Sequence, residues 1–523
     1  MFGRLITILF IAACVFSGCS SYDDEPDAPV TGNSGDGKYV RLMLYMPQGG
    51  SRGESHPDEG ALDNECAVRD ITLFIYSASD GLNSNPADSI AESFYLTNTS
   101  TEFSQTGTSI ELRFKSTNNS ITEGYRLAAF INMGDLTHFK VLGDLQAHIP
   151  ASTWNGTGTL SSYTGFTMAN ANATDGLLSC DPLATSIPGS KENPLTTSIE
   201  VERTSARIDL DYTGSSREGE FLVYPARLAS DGTEVATVYV SHVLPVNAMQ
   251  ESSYALKRIS APATDNLSCL MSYTFTGTLP KDDDGHPTAY VVEPHSLLKG
   301  LPIGNAAEWY GRTAASVIES EKKGHFTDQN KLVHNLDDPK INITLKNSVV
   351  LAYANENTQH IDNHYAGCLT GLVIRAQYVP KTIYVTADLS QTIKNPVRGT
   401  DIWRYTPQNS TTTEADVMYF ATKDAATEYS HAHSADRAQI KEFKAGECFY
   451  NLWIRHTVLT EGPRPDGPVF PMEFGIVRNH IYRVAIGFRG IGREGVTIED
   501  PWNIEPQIFV RPWNMFRHPE IIM

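Results

Sequence analysis

The 523-residue chain lacks the cysteine and histidine spacings that mark common metal sites and disulfide-rich folds. It has no H-E-x-x-H and no C-x-x-C sequence, and it has only seven cysteines. Of these, Cys14 falls in an apolar leader and Cys19 directly follows it. An odd number then remains, which cannot all pair within one chain, so we expect neither a disulfide framework nor a zinc knuckle. The remaining cysteines are Cys66, Cys180, Cys269, Cys368 and Cys448.

Basic residues are also scarce, with 41 Lys and Arg against 61 Asp and Glu, for a formal net charge of −20. Nucleic-acid binding needs Lys and Arg to neutralise phosphates, so this balance argues against it. After the leader no stretch is long and apolar enough for a transmembrane helix. With 41% hydrophobic and 20% charged residues, the composition is typical of a globular protein with a sizeable core, and the length suggests two to four domains.

The N-terminus has the layout of a signal peptide, which we predict to cover residues 1–18. Arg4 precedes an apolar run that ends at Phe16, and "SG" leads into Cys19. This arrangement resembles a lipobox in which Cys19 is lipidated, although Phe16 replaces the usual leucine. The alternative is an ordinary signal peptide followed by a chance cysteine.

Residues 19–37 are acidic and rich in Gly, Ser and Pro, which predicts a flexible tether. This acidic run also resembles a surface-export signal; the alternative is a plain linker.

Short strand patterns dominate the rest of the chain and predict a mostly β fold made of β-sandwiches with a few short helices. The first pattern, at 38–47, places Val40, Leu42, Leu44 and Met46 on one face. Helical patterns are predicted only at 306–324 and 414–429. A polar stretch before a strong strand pattern at 198–212 predicts a boundary there. The predicted units are a removable first strand at 38–52, an N-terminal sandwich at 53–197 and a larger C-terminal sandwich with insertions at 198–523.

Two glycine motifs could carry chemistry, but their surroundings do not support it. "GGSRG" matches G-x-S-x-G around Ser51, yet Pro57 follows and no helical pattern does, so Ser51 is not expected to be a nucleophile. "GIGREG" at 490–495 matches G-x-G-x-x-G, but the next segment holds β-branched residues and Pro501. It cannot open a phosphate-binding helix, and a turn between strands is the better interpretation.

The histidine clusters give little support for a metal site. His360, His364 and Cys368 would share one face of a helix, but Asn363 and Gly367 disfavour a helix there. The "HAH" at 431–433 could bind a metal from a strand or a loop, although a pair of loop histidines is more often only solvated. We therefore predict no enzyme activity, no metal and no cofactor.

Several segments together resemble the fimbrillins, the structural pilins of lipoprotein-derived (type V) pili, and within them the minor-fimbrium (Mfa-type) shaft subunit. The resemblance covers nearly the whole mature chain, is weakest at 213–340, and is most specific near the C-terminus. The segments are "VRLMLYMPQGGSRGE", "VRDITLFIY", "SIEVERTSARIDL", "LAYANENTQ", "GLVIRAQYVP", "MYFATKDAATEY", "GECFYNLWIRH", "MEFGIVRNHIYRVAIGFRGIG" and "FVRPWN".

The resemblance implies two transthyretin-like β-sandwich domains, export as an outer-membrane lipoprotein, and a final place in an extracellular fimbria that supports adhesion and biofilm formation. It also implies that an Arg-specific protease cuts in the loop after the first strand. The matching arginine is Arg52, since Arg41 lies inside the strand. The implied partners are other copies of the chain, accessory, tip and anchor subunits, the protease, and the membrane through the lipid before cleavage.

Removal of the first strand would uncover an apolar groove with two unpaired strand edges, which a strand from the next subunit could fill. Such head-to-tail insertion does not close on itself and makes a filament. The predicted donor is the C-terminal segment; the alternative is that this tail completes its own domain's sheet, and Pro512 and Pro519 mark edge or switching positions. The predicted donor residues are Ile508, Val510, Met515, Ile521 and Ile522.

Two other functions stay open at the level of the sequence. A fimbrial tip or accessory adhesin would share much of this architecture. A surface glycan-binding lipoprotein or hydrolase could use some of the six tryptophans as a sugar platform, although scattered aromatic residues more often belong to the core.

Overall fold

A computed structural model gives the fold of most of the chain. No helix in this part of the chain is long and apolar enough to cross a membrane. The structure describes residues 38–45, 62–77, 81–106, 109–117, 125–156, 160–171, 189–260, 272–295, 348–358, 369–407, 414–433, 438–457, 470–495 and 504–512.

The N-terminal half is an eight-stranded sheet in the order β3-β2-β6-β7-β8-β1-β5-β4. The sheet curls into a sandwich, because the inward residues of β1 and β5 share one core with those of β2 and β6. Phe94 on β3 and Phe114 on β5 close it, with ring centroids 4.6 Å apart. The strands are β1 Lys38–Tyr45, β2 Asp70–Ser77, β3 Glu92–Thr97, β4 Phe103–Thr106, β5 Ser109–Ser116, β6 Tyr125–Ile131, β7 Met168–Asn170 and β8 Leu195–Arg203.

The C-terminal half is built on a nine-stranded sheet whose main path is β15-β9-β23-β11-β12-β16-β22, with β10 beside β11 and β24 beside β23. Its alternating aliphatic residues form the largest core of the described chain. The strands are β9 Ser205–Asp211, β10 Ser216–Glu218, β11 Phe221–Arg227, β12 Glu234–Val246, β13 Ile259–Ser260, β14 Tyr273–Thr274, β15 Ser348–Asn355, β16 Gly371–Pro380, β17 Thr382–Tyr384, β18 Thr392–Lys394, β19 Ile402–Thr406, β20 Met418–Phe420, β21 Gln439–Phe443, β22 Glu447–Trp453, β23 His480–Phe488 and β24 Ile504–Pro512.

The described helices are short. Helix α1 (Leu142–Ala147) packs on the N-terminal half, and α2 (Lys423–Ala432) covers a small sheet of order β18-β17-β20-β19-β21. Short 3-10 turns lie at Asp63–Glu65, Leu160–Ser162, Glu414–Asp416 and Lys444–Gly446. The mostly β class with few short helices is therefore confirmed.

The strand pattern at 198–212 is divided between the two sheets. Its first part belongs to β8 and its second part to β9, with the change at Thr204. The predicted domain boundary between 197 and 198 thus falls inside a strand of the first sheet. The residues next to Thr204 on both sides, 201–203 and 205–210, are buried and suited to a strand, so the composition does not mark the break between β8 and β9.

The helix predicted at 414–429 is wrong over its first half. Residues 414–416 form a 3-10 turn, and Met418–Phe420 form β20, which pairs with β19. The helix begins only at Lys423, where the Thr422 side chain accepts a hydrogen bond from the N–H of Ala425 (3.2 Å) and caps it. The helix predicted at 306–324 lies outside the described residues.

A histidine in the C-terminal half makes the stability of the fold sensitive to acid. The Tyr482 hydroxyl accepts from the N–H of Val477 (2.7 Å) and lies 2.9 Å from Nδ1 of His456. Burial, together with the nearby His480 ring, lowers the pKa of His456 to about 3. Because this folded pKa lies below the ordinary value of 6.5, the unfolded chain binds the proton more readily, so stability is full above pH 6.5 and falls as the pH drops below it.

We expect the free energy of unfolding to fall by about 1–2 kcal/mol from this group between pH 6.5 and 4.5. Urea unfolding of the wild type and His456→Asn at several pH values measures this free energy, which should depend less steeply on pH in the variant. The exposed His431 offers a matched control, since His431→Asn should leave the slope unchanged. An equal slope in wild type and His456→Asn would contradict the assignment.

Candidate functional site

Strand β1 is an interior strand of the N-terminal sheet, not an edge strand. It pairs antiparallel with β5 from Lys38↔Ser116 to Leu44↔Ile110, and parallel with β8 from Val40↔Leu195 to Tyr45↔Glu200. Both of its backbone edges are therefore satisfied. We call the space that β1 fills between β5 and β8 the β1 slot.

The inward face of β1 is completely buried. Val40 is 1% exposed and Leu42 and Leu44 are 0% exposed, and all three lie in the sandwich core. Burial of three such side chains stabilises the sheet by about 5–9 kcal/mol before ordering costs. The predicted alternation thus agrees with the structure at these positions, while Met46 lies outside the described residues.

The outward face of β1 carries charge. Nη2 of Arg41 donates to Glu111 on β5 at 2.7 Å, and Nε of Arg113 donates to the same carboxylate at 2.7 Å. The hydrogen bond from Arg41, with that from Arg113, lowers the pKa of Glu111 below its usual range. Next to it, the Lys115 ammonium lies 5.6 Å from the centroid of the Tyr39 ring.

The segment that joins β1 to the rest of the fold includes Arg52. It runs from Tyr45, the last residue of β1, to Leu62, which is buried. Arg52 itself lies outside the described residues, as does Cys19. A cut after Arg52 would leave residues 38–45 joined to the sheet only by hydrogen bonds and packing.

The chain just after this segment is anchored between the two halves by a buried carboxylate. Glu65 is fully buried and accepts from Nη1 of Arg207 (3.0 and 3.2 Å), the Tyr353 hydroxyl (2.6 Å) and the N–H of Leu62 (2.8 Å). Arg207 also forms two 3.0 Å hydrogen bonds with Asp209. Burial opposes the charge of Arg207, but Asp209 and Glu65 raise its pKa above the ordinary value.

Aromatic and aliphatic packing reinforces this anchor. Leu62 lies in one core cluster with Phe166 of the N-terminal half and Tyr353 of the C-terminal half. The Phe166 and Tyr353 rings are 4.7 Å apart. Loss of β1 would therefore leave the contact between the two halves in place.

The described part of the C-terminal tail completes its own domain's sheet. Strand β24 pairs antiparallel with β23 from Phe488↔Ile504 to His480↔Pro512, and Ile508 is buried while Phe509 is 42% exposed. Val510 packs against the core. Among the described strands β24 pairs only with β23, so it is an edge strand. Three further predicted donor residues, Met515, Ile521 and Ile522, lie outside the described residues.

Two glycines of the 490–495 motif lie where neighbouring segments pack too closely for a Cβ atom. A Cβ on Gly490 would collide with the carboxyl group of Glu414, and one on Gly492 would collide with the backbone of Phe449. This explains the two glycines without a phosphate ligand, in agreement with the predicted turn. Ser51, in the other glycine motif, lies outside the described residues.

Of the two histidines of "HAH", His431 lies in α2 and His433 caps its C-terminal end. His433 follows α2, its Nδ1 lies 2.9 Å from the carbonyl oxygen of Tyr429, and its ring stacks on Tyr429 at 4.0 Å. The other predicted cluster, at His360, His364 and Cys368, lies outside the described residues.

A carboxylate–histidine group that the sequence analysis did not single out lies on an exposed loop. One donor atom from each of Asp282, Asp284 and His286 lies within 4.8 Å of the others. The Asp282 carboxylate already accepts from the N–H of His286 (2.8 Å) and of Asp284 (3.1 Å), and the first of these bonds lowers its pKa. These contacts account for the loop as a local turn.

The sequence patterns did not predict the roles of two carboxylates. Glu111 contacts β1, and Glu65 lies where the two halves meet. Glu111 could have been found, because "SIELRF" alternates and places Glu111 and Arg113 on the face away from Ile110 and Leu112. No local pattern indicates that Glu65 is buried and paired, because it lies in a polar stretch and its partner Arg207 is 142 residues away.

No family model and no curated protein sequence matches the chain. Among solved structures it is similar to a candidate cell adhesion protein from Parabacteroides distasonis ATCC 8503, with 14% identity over 91% of this chain and 100% of that one and a TM-score of 0.40. A FimA fimbrilin from Porphyromonas gingivalis W83 matches with 13% identity, 91% and 98% coverage and a TM-score of 0.37. The tip fimbrial protein Mfa3 from Porphyromonas gingivalis, with a C-terminal truncation, matches with 7% identity, 91% and 99% coverage and a TM-score of 0.36.

Two of these three are fimbrial proteins, the class that the sequence resemblance names. Their identities are 14% or lower and their TM-scores 0.40 or lower.

Proposed function

We propose that the chain is a structural subunit of a cell-surface fimbria and polymerises by strand exchange after cleavage at Arg52. The single observation that carries the proposal is the position of β1. It is an interior strand with a fully buried inward face, yet it precedes the rest of the fold and is joined to it through the segment that holds Arg52.

Cleavage would change the thermodynamic balance at the β1 slot. Before the cut, β1 is part of the same chain and its insertion is intramolecular. It therefore competes with a strand from a second copy at a high effective concentration. After the cut it is free to leave, and its departure exposes Leu112 and Leu195 together with two strand edges. A strand from a second copy can then restore both ladders and the core contacts.

The proposed pathway before assembly follows the sequence features. The chain is exported with the leader at 1–18, is lipidated on Cys19 and reaches the outer membrane on the tether at 19–37. An Arg-specific protease then releases β1, and subunits join head to tail with accessory, tip and anchor subunits. The filament supports adhesion and biofilm formation.

Limited trypsin treatment of residues 20–523 tests this proposal. The wild type should lose the fragment that ends at Arg52 and then form ladders that resist SDS, and Arg52→Ala should abolish both events. Size-exclusion chromatography, SDS gels and mass spectrometry follow them. Arg217→Ala, which removes an exposed arginine on β10, is the control and should behave as wild type.

Two outcomes would overturn the shaft-subunit role. Growth of ladders from uncut Arg52→Ala would show that cleavage is not the trigger. Release of the fragment without any growth would favour a tip adhesin, which accepts or caps a filament without extending it.

A further inference from the structure

The outward face of the β1 slot carries a carboxylate that loses one of its two arginines when β1 leaves. Glu111 accepts from Arg41 on β1 and from Arg113 on its own strand. Only Arg113 remains after β1 is released. A strand that enters the slot with a cation near Glu111 would restore the lost ion pair, whereas an anion there would be repelled.

The slot also sets the length of its occupant. The ladder between β1 and β5 spans Lys38 to Leu44. Proline cannot donate to a ladder and so belongs at the ends of a central strand. The tail holds Pro506 and Pro512, which bound a segment of the same length as that ladder.

Pro506 placed at the position of Lys38 gives a consistent register. Ile508 and Val510 then take the inward places of Val40 and Leu42. The odd-numbered residues face outward, as Phe509 already does in its own sheet, where it is exposed. Arg511 takes the place of Met43, directly opposite Glu111.

A register shifted by two residues would put Arg511 at the place of Arg41 instead, which also contacts Glu111. That register would place Pro512 at Leu42, in the middle of the ladder, where its missing N–H costs a backbone hydrogen bond. The prolines therefore favour the first register, and both registers bring the same two charges together.

The exchange also improves the backbone pairing of the tail. In its own domain β24 is an edge strand with one ladder, to β23. In the slot the segment 506–512 would have ladders on both sides, to β5 and β8, as β1 has. Ile504, which is buried in its own core, lies outside the exchanged segment.

We propose that Glu111 selects the incoming strand by pairing with Arg511 of a second copy of this chain, whose residues 506–512 enter the β1 slot. This inference rests on the proposed function. Glu111 is a specificity-determining residue of the slot, and Arg511 is its counterpart on the donor.

A charge-swap experiment with peptides tests the pairing. The full chain 20–523 is cut with trypsin, the trypsin is inhibited, and a fluorescent peptide of residues 504–516 is added. Fluorescence anisotropy gives the rate and extent of its incorporation. The four combinations are wild-type and Glu111→Arg protein, each with the wild-type and the Arg511→Glu peptide.

We expect each single swap to slow incorporation about threefold to tenfold, and the double swap to recover most of the wild-type rate, because a partly buried opposite-charge pair is replaced by a like-charge pair and then restored. Glu111→Gln covers the case in which Glu111→Arg does not fold. The difference between the incorporation rates of the two peptides should be smaller in Glu111→Gln than in the wild type. The control Glu234→Arg makes the same charge change on β12 and should accept both peptides as the wild type does.

The outcomes separate this inference from the proposed function. Equal rates for all four combinations would overturn the role of Glu111 while leaving strand exchange standing. Incorporation of a 513–523 peptide in place of the 504–516 peptide would overturn the assignment of the donor segment. If neither peptide entered the cut protein, both the inference and the proposed function would be overturned.

Discussion

Glu65→Ala is expected to lower the free energy of unfolding by about 3–5 kcal/mol, because it leaves buried positive charge without its partner. Arg207 is fully buried and pairs with the carboxylates of Glu65 and Asp209, and Arg203, which is also fully buried, donates to the backbone carbonyl oxygen of Glu65. Without the Glu65 carboxylate, Arg207 keeps Asp209, which also lies 3.8 Å from Arg483.

The same substitution should also reduce the cooperativity between the two halves. Glu65 belongs to the N-terminal half, whereas Arg207 and Tyr353 belong to β9 and β15 of the C-terminal half. Urea unfolding monitored by circular dichroism should therefore split into two transitions in Glu65→Ala. Glu65→Gln keeps an oxygen for the Tyr353 hydroxyl and should cost less.

An exposed carboxylate provides the matched control for this prediction. Glu218→Ala removes an exposed side chain on β10, where ion pairs contribute about 0–1 kcal/mol. A loss below about 1 kcal/mol in Glu65→Ala, comparable to this control, would contradict the assigned role of the buried network.

Local patterns predicted the strands whose side chains alternate, and they predicted little else of the site. Val40, Leu42 and Leu44 alternate with Tyr39, Arg41 and Met43, and this period of two is sufficient to place β1 and its buried face. The parallel pairing of β1 with β8 joins residues more than 150 positions apart, and no period in the sequence encodes that partner.

Charges were harder to place than apolar residues. In the sequence, Glu65 lies in what looks like a polar turn, and Arg207 and Asp209 lie in an alternating strand pattern. Neither pattern indicates the buried network, because Glu65 and Arg207 come from distant segments. The break at Thr204 was missed for a related reason. Residues on both sides of it are equally suited to a strand, and only the topology assigns them to different sheets.

Leu42→Ala should separate the precursor from the assembled product. Leu42 is fully buried at the centre of β1, so the truncation leaves a cavity and should destabilise the uncut chain by about 2–5 kcal/mol. The weaker core should also let β1 leave faster once Arg52 is cut. Urea unfolding of the uncut protein and the rate of fragment release measure these two effects.

Assembled filaments of Leu42→Ala should nevertheless be as stable as those of the wild type, because residue 42 leaves with the fragment. Leu112→Ala is the matched control: Leu112 is equally buried and pairs with Leu42 across the ladder, but it remains in the subunit. It should weaken both the precursor and the filament, measured as the temperature at which SDS dissolves the ladders. If Leu42→Ala weakened the filament as much as Leu112→Ala, β1 would still be in its slot after assembly, and strand exchange at this site would be refuted.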